Sequence, residues 1–289
     1  MKNTTRRTLI KAVIVILVLT VSFFGVKKIV TNYVERNDAS VGGNNPQQTT
    51  EPQSEESDDE NEQKKLEELG AEEYLRQYAE ENDIPFDEYP DFIIEMLDKT
   101  PAAIEFAVNY PVNKDKTYKI DMSEYENESG MPLFIQWDKR WGYIEYGSSV
   151  AGISACGPVS LSMVAYYLTG DKNMSPDKII QFAKDNGYCV PGSGTSWTLI
   201  SEGAGKLGLT ATELPLNENH VKSHLQNGEP IICVMGHGDF TTLGHYIVLT
   251  SYEDGYVTVN DSNSVERTNK KWKFSEIQDQ IRNLWAISK

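Results

Sequence analysis

The sequence predicts a mixed α+β domain over its C-terminal half, carried behind an N-terminal membrane span, an acidic tether and a small helical segment. Three observations lead there. An uncharged apolar run occupies Ala12 to Val26. The stretch after it is too polar and acidic to build a core. From Met131 onward, patterns of buried helix and strand alternate, and four of the five tryptophans lie beyond residue 140. Charge divides along the same lines: residues 1–36 hold seven Lys/Arg and one Glu, 37–130 hold seven against 26 Asp/Glu, and 131–289 hold 13 against 16. The formal net charge of −16 therefore belongs to the middle of the chain. No broad basic face exists beyond residue 36, which argues against nucleic acid as a partner.

Counted from Thr8, the apolar run reaches 19 residues, close to the ~20 that a helix needs to cross a bilayer. Lys11 interrupts it but can snorkel toward the headgroups. Lys2, Arg6 and Arg7 precede it and favour a cytoplasmic N-terminus. Residues 1–36 thus read as a cytoplasmic tail and single transmembrane signal anchor, with the rest of the chain outside the cytoplasm. A cleaved signal peptide, giving a secreted protein, is the rival reading. Against it, no Ala-x-Ala follows, Thr20-Val21-Ser22 is a poor substitute, and Lys27-Lys28 come at once.

Residues 37–63 contain no aliphatic residue after Val41 and no aromatic. Such a stretch cannot bury enough apolar surface to offset the entropy of ordering, so it reads as a disordered acidic linker. Over 64–130 the pattern becomes helical. Leu66, Leu69, Tyr74, Leu75 and Tyr78 recur at helical intervals, Pro85 and Pro90 break the run, and Phe92, Ile93, Met96 and Leu97 mark a short amphipathic helix. Thr100-Pro101 reads as an N-cap followed by Pro at the first helical position, opening a helix over Ala102–Tyr110. This segment is expected either to pack on the next domain or to occupy its cleft, where it would inhibit.

In the last domain, 131–289, Pro158 in a first turn, the apolar run Val159–Leu168 and Gly170 at its end describe a buried helix starting at Cys156. A thiol there sits at the positive end of the helix dipole, which favours its thiolate. The alternative is a buried small hydrophobe, and the flanking Gly152 and Gly157-Pro158 argue against it. A thiolate nucleophile needs a base, and the base needs an orienter. His220 and His224, at i and i+4 on a polar stretch, read as a surface helix without a further ligand nearby. His237 lies in a turn after the strand Ile231–Met235. His245 opens the strand Gly244–Leu249, and Asp261 closes the strand Tyr256–Asn260. A hairpin through Glu253-Asp254-Gly255 with its midpoint near residue 253 places His245 opposite Asp261, an imidazole beside a carboxylate. Cys189 and Cys233 are expected as free thiols, and no spacing supports metal binding.

These residues resemble a known family. Gln136-Trp137-Asp138-x-Arg140-Trp141-Gly142, Cys156-Gly157-Pro158, Gly192-Ser193-Gly194-Thr195-Ser196-Trp197, Gly238-Asp239-Phe240-Thr241, Gly244-His245 and Asp261-Ser262-Asn263-Ser264 look like the motifs of the C-39-like cysteine peptidases. These are relatives of the papain-fold domain that clips double-glycine leaders from bacteriocin precursors. The resemblance implies an α+β, papain-like fold, with a helix carrying the Cys and an antiparallel sheet carrying the His and Asp. It implies Cys156 as nucleophile, His245 as general base and acid, Asp261 as orienter, and Gln136 as a side-chain donor to the oxyanion beside the Cys156 N–H. It implies a peptide or protein substrate and no cofactor. Gly194, Thr195 and Trp197 would line the peptide groove, although a tight turn explains those glycines equally well. Gln136 stands farther ahead of Cys156 than in the leader-processing enzymes, and His237 replaces a more usual proline. The chain has one span and no G-x-x-x-x-G-K-[ST] phosphate loop, so its substrate need not be a double-glycine leader. Cell-wall peptides or amides, or binding without catalysis, are the alternative expectations.

Overall fold

The computed structural model describes residues 58–126 and 129–289. The apolar run at 12–26 and most of the tether lie outside the described residues. No helix among those described is long and apolar enough to cross a membrane.

The last residues of the expected acidic linker, 58–63, are helical, because α1 spans Asp58–Leu69. No Gly or Pro interrupts the chain between Pro52 and Gly70, and Glu, Gln, Lys and Leu are good helix formers, so low hydrophobicity does not prevent the helix. Gly70, at φ 76, breaks it. The next helix, α2 (Ala71–Glu81), buries Tyr74, Leu75 and Ala79, and α3 (Asp91–Lys99) buries Ile93, Met96 and Leu97. The single helix expected over Ala102–Tyr110 is instead three pieces: a 3-10 turn at Pro101–Ala103, α4 (Ile104–Val108) and α5 (Tyr110–Asn113). Pro111 cannot continue a helix but suits a first turn, so the chain restarts at Tyr110. Thr100 makes no cap bond.

Beyond Met131 the chain is mixed α+β with antiparallel sheets. Two short hairpins pair β1 (Glu145–Tyr146) with β2 (Ser149–Val150) and β3 (Cys189–Val190) with β4 (Gly194–Thr195). The central helix α6 (Cys156–Thr169) is buried continuously from Gly157 to Tyr166 and ends at Gly170, φ 65, in the left-handed region. The main sheet has the order β5-β10-β6-β7-β8-β9, all antiparallel. Its strands are β5 (Thr210–Glu213), β6 (Ile231–Met235), β7 (His245–Glu253), β8 (Tyr256–Asn260), β9 (Trp272–Lys273) and β10 (Ile281–Ser288).

The unbroken apolar run of β6 follows from its place inside the sheet. Ile232 and Val234 join the core with α6 residues such as Leu161 and Val164, along with Val248 and Trp285. Ile231, Cys233 and Met235 join the other core with Ile247, Leu249 and Phe274. Period-two alternation thus sends neighbours to two different cores, and every residue of the strand is buried.

The helical segment and this domain belong to one compact unit, Glu56–Lys289. Phe106 of α4 stacks on Tyr143, with ring centroids 4.2 Å apart at 10°. The Tyr143 hydroxyl donates to the Phe106 carbonyl at 2.9 Å. A Cβ on Gly142 or Gly152 would lie 2.7 or 2.8 Å from the Phe106 ring, so those two positions need glycine for the ring to approach.

Candidate active site

Cys156 opens α6, and its N-cap, Ala155, offers no side-chain acceptor. No capping side chain competes for the Cys156 and Gly157 N–H groups (Pro158 has none), and the helix dipole favours an anion there. Cys156 is half-buried and a free thiol.

Sequence symmetry placed the hairpin turn near residue 253. The structure turns at Asp254-Gly255, with φ 49 and 84, so Glu253 pairs with Tyr256. Positive φ at both central residues matches the twist of a two-residue hairpin. A bulge between Leu249 and Ser251 shifts the register again, and Val248 faces Asn260. His245 and Asp261 are thus not cross-strand partners. Their side chains meet nonetheless: His245 Nε2 donates to Asp261 Oδ1 at 2.7 Å. Cys156 lines the same two clefts as the ring, and with Nε2 committed to Asp261, Nδ1 is the nitrogen left to face its sulfur. Burial opposes charge on the ring, but the carboxylate and the Cys156 sulfur outweigh it, and the His245 pKa is raised to about 10.

Asp261 is fully buried. Its Oδ1 also accepts from the Asn263 N–H at 2.8 Å, and its Oδ2 accepts from Arg267 Nε at 2.6 Å. Burial alone would raise its pKa, yet His245 and Arg267 hold it below the ordinary carboxylate value. Arg267 escaped the sequence reading. Its position follows from the short helix α7 (Val265–Asn269), whose N-cap Ser264 accepts from the Arg267 N–H. The available signal was an Asp headed for burial with a Ser-capped turn and a cation just downstream.

Gln136 reaches the same centre and acts as a strut. Its Nε2 donates to Gly152 O at 2.9 Å and Ile153 O at 3.4 Å. Its Oε1 accepts from Ser262 Oγ at 3.0 Å, and its backbone N–H bonds Ser262 O at 2.7 Å. It therefore ties the turn before Cys156 to the loop carrying Asp261.

Two clefts meet at Cys156 and His245. One, of about 590 Å³, is walled by Val190, Gly194, Thr195, Trp197 and Leu243, so the three expected groove residues do line it. Thr195 serves mainly as support. Its hydroxyl pairs with Tyr146 OH at 2.9 Å, its carbonyl accepts from Tyr246 OH at 3.2 Å, and its methyl packs where a Gly157 Cβ would be. Trp197 is 45% exposed and packs edge-on against Trp285. The second cleft, of about 470 Å³, lies between Gln136, the 238–244 loop, Arg267 and α3.

His237 is exposed and lies off both clefts. His224, expected to lack an acidic neighbour, pairs with Glu229 across the end of its helix, a contact that i, i+4 spacing did not reveal. Among the described residues no cluster of three or more His, Cys, Asp or Glu could hold a metal. Cys189 and Cys233 are free thiols, and burial pushes the Cys233 thiol pKa up.

The model of the Peptidase_C39 like family matches residues 128–289, more than half of the chain. The chain belongs to the Peptidase_C39 like family. No curated protein matches this C39-like chain. Among solved structures it is similar to the peptidase domain of Streptococcus ComA, a bi-functional ABC transporter involved in a quorum sensing pathway. There the identity is 20%, coverage 54% of this chain and 94% of that one, and TM-score 0.38. It is also similar to a putative C39-like peptidase from Bacillus anthracis, at 14% identity, 56% and 98% coverage, and TM-score 0.37.

Proposed function

We propose that this C39-like chain is a cysteine peptidase of papain-like fold, held at the outer face of a membrane by residues 1–36, which hydrolyses peptide bonds through a thioester acyl-enzyme. The observation that carries this reading is the buried His245–Asp261 pair at 2.7 Å, with Cys156 at a helix start in the same clefts as that imidazole.

The Cys156 thiolate attacks the scissile carbonyl carbon, forming a C–S bond as the carbonyl π pair moves to oxygen. The oxyanion meets the Cys156 backbone N–H at the start of α6. Gln136 is the side-chain donor beside it; its 3.4 Å bond to Ile153 O is the weaker one, which the oxyanion replaces. Collapse of the intermediate breaks the C–N bond, and the His245 imidazolium gives its proton to the leaving amine. Neutral His245 then takes a proton from water, whose oxygen attacks the thioester carbon; the C–S bond breaks and releases the acid. Asp261 fixes the ring through Nε2 and stabilises its charged form throughout.

Incubating the full-length chain with a diverse peptide pool and identifying new termini by mass spectrometry tests the reading. Cys156→Ala should abolish both cleavage and labelling by a thiol-directed inhibitor. Equal cleavage by the wild type and Cys156→Ala overturns it. Accessibility labelling on either side of the membrane tests the anchor: a C-terminal domain labelled only from the cytoplasm overturns that part.

A further inference from the structure

The second cleft has an unexpected wall. Helix α3 lies outside the region matched by the family, 128–289, yet Phe92, Glu95, Met96 and Lys99 line the cleft that holds Cys156 and His245. Those four positions are i, i+3, i+4 and i+7, one stripe of a helix. The opposite stripe, Ile93 and Leu97, is wholly buried in the core of the helical segment. Ile93 and Leu97 serve that core alone, whereas Met96, itself part of the core, and Phe92, packed against it, also reach the cleft with the exposed Glu95 and Lys99.

Its position is fixed rather than incidental. Phe92 packs edge-on against Tyr110, and Phe106 seats the segment on Gly142 and Gly152. At its end, Thr100 Oγ1 accepts from Asn263 Nδ2 at 3.5 Å, two residues after Asp261. The surface it offers combines an apolar floor of Phe92, Met96 and Ile153 with a charged rim, Lys99–Glu95. That ion pair is 3.1 Å long and about two-thirds exposed on each side chain. Exposed pairs contribute little, so either member can turn to a substrate charge.

Resting on the peptidase reading above, we propose that α3 forms a substrate subsite. It receives an apolar side chain of the peptide on one side of the scissile bond, with Lys99 and Glu95 reading the charge of the residue next to it. The glycine-bearing cleft with Trp197 takes the other side. The helical segment is then part of the specificity machinery.

Cleavage profiles of the full-length wild type, Phe92→Ala and Lys99→Glu against the same peptide pool test this. Wild type should prefer an apolar residue at one position on the α3 side. Phe92→Ala should weaken that preference by about tenfold in kcat/KM, mostly through KM. Lys99→Glu, at an exposed position that folding tolerates, should turn the charge preference beside it toward basic residues. Preferences on the Trp197 side should not change in either variant, and thermal unfolding checks that both are folded. Wild-type cleavage that depends on Cys156, with both variant profiles superimposing on it, overturns the subsite alone. No Cys156-dependent cleavage by the wild type overturns the peptidase reading and the subsite with it.

Discussion

Replacing Arg267 with Met removes one of three donors to a carboxylate that has no access to water. Asp261 accepts from His245 Nε2 at 2.7 Å, Arg267 Nε at 2.6 Å and the Asn263 N–H at 2.8 Å, and is fully buried. A charge-assisted hydrogen bond of this kind contributes about 1.5–3 kcal/mol. The Arg267 side chain is 26% exposed and its charge partly screened, so the lower part of that range applies, roughly 2 kcal/mol. Without that cation, Asp261 should titrate higher in Arg267→Met than in the wild type. The direction with pH follows. A carboxyl depressed in the folded state stabilises fully above its unfolded value of 3.8 and loses that contribution as pH falls through the lower folded value. Arg267→Met should therefore be less stable than wild type by about 2 kcal/mol at neutral pH, and the difference should shrink as acid protonates Asp261 in the wild type. Urea unfolding at a series of pH values from neutral to strongly acidic measures it. A difference that is absent, or the same at every pH, refutes the reasoning.

Three further outcomes are expected. In Asp261→Asn the His245 pKa should fall from about 10 toward 6.5, lowering the alkaline limit of kcat/KM and the rate by ~10²–10⁴-fold; an unmoved alkaline limb refutes it. Because His245 is raised in the folded state, its contribution to stability is complete below 6.5 and lost as pH rises through about 10; the variant should lack that high-pH loss. Gln136→Ala leaves the Gly152 carbonyl and the Ser262 hydroxyl without their buried partner, so it should cost about 2–4 kcal/mol in denaturant melts and ~10²–10³ in kcat. Phe106→Ala should destabilise by about 3–5 kcal/mol in the same melts; a loss under 1 kcal/mol would show that the stack on Tyr143 does not hold the segment in place.

Local chemistry made much of this site legible. A Cys before Gly-Pro, an apolar run and a closing Gly define α6 to the residue, because capping and burial are local rules. The apolar run Ile231–Met235 likewise matches β6 end to end. The meeting of His245 and Asp261 does not come from symmetry about residue 253: the two-residue turn and the bulge at 249–251 shift the register, and side-chain reach closes the gap. What stayed hidden depends on contacts between distant segments. Gln136 bonds residues 16 and 126 positions away. Arg267 sits in a polar stretch with no periodicity to mark it, and nothing within α3 distinguishes Phe92, which faces the cleft, from Ile93, which fills a core. The helix expected at Ala102–Tyr110 breaks beside Pro111, whose missing N–H restarts the chain at Tyr110.

The seat of Phe106 on Gly142 and Gly152 also bears on where this chain can be cut. Trimming at residue 128, the family's own border, would strip away the ring and leave Tyr143, Val150 and two bare glycine surfaces facing water beside Gln136's anchor at Gly152. An isolated 128–289 fragment would thus begin life with an adhesive patch next to its nucleophile. The compact unit runs from Glu56 to Lys289, and Phe106, Gly142 and Gly152 fit one another only as a set.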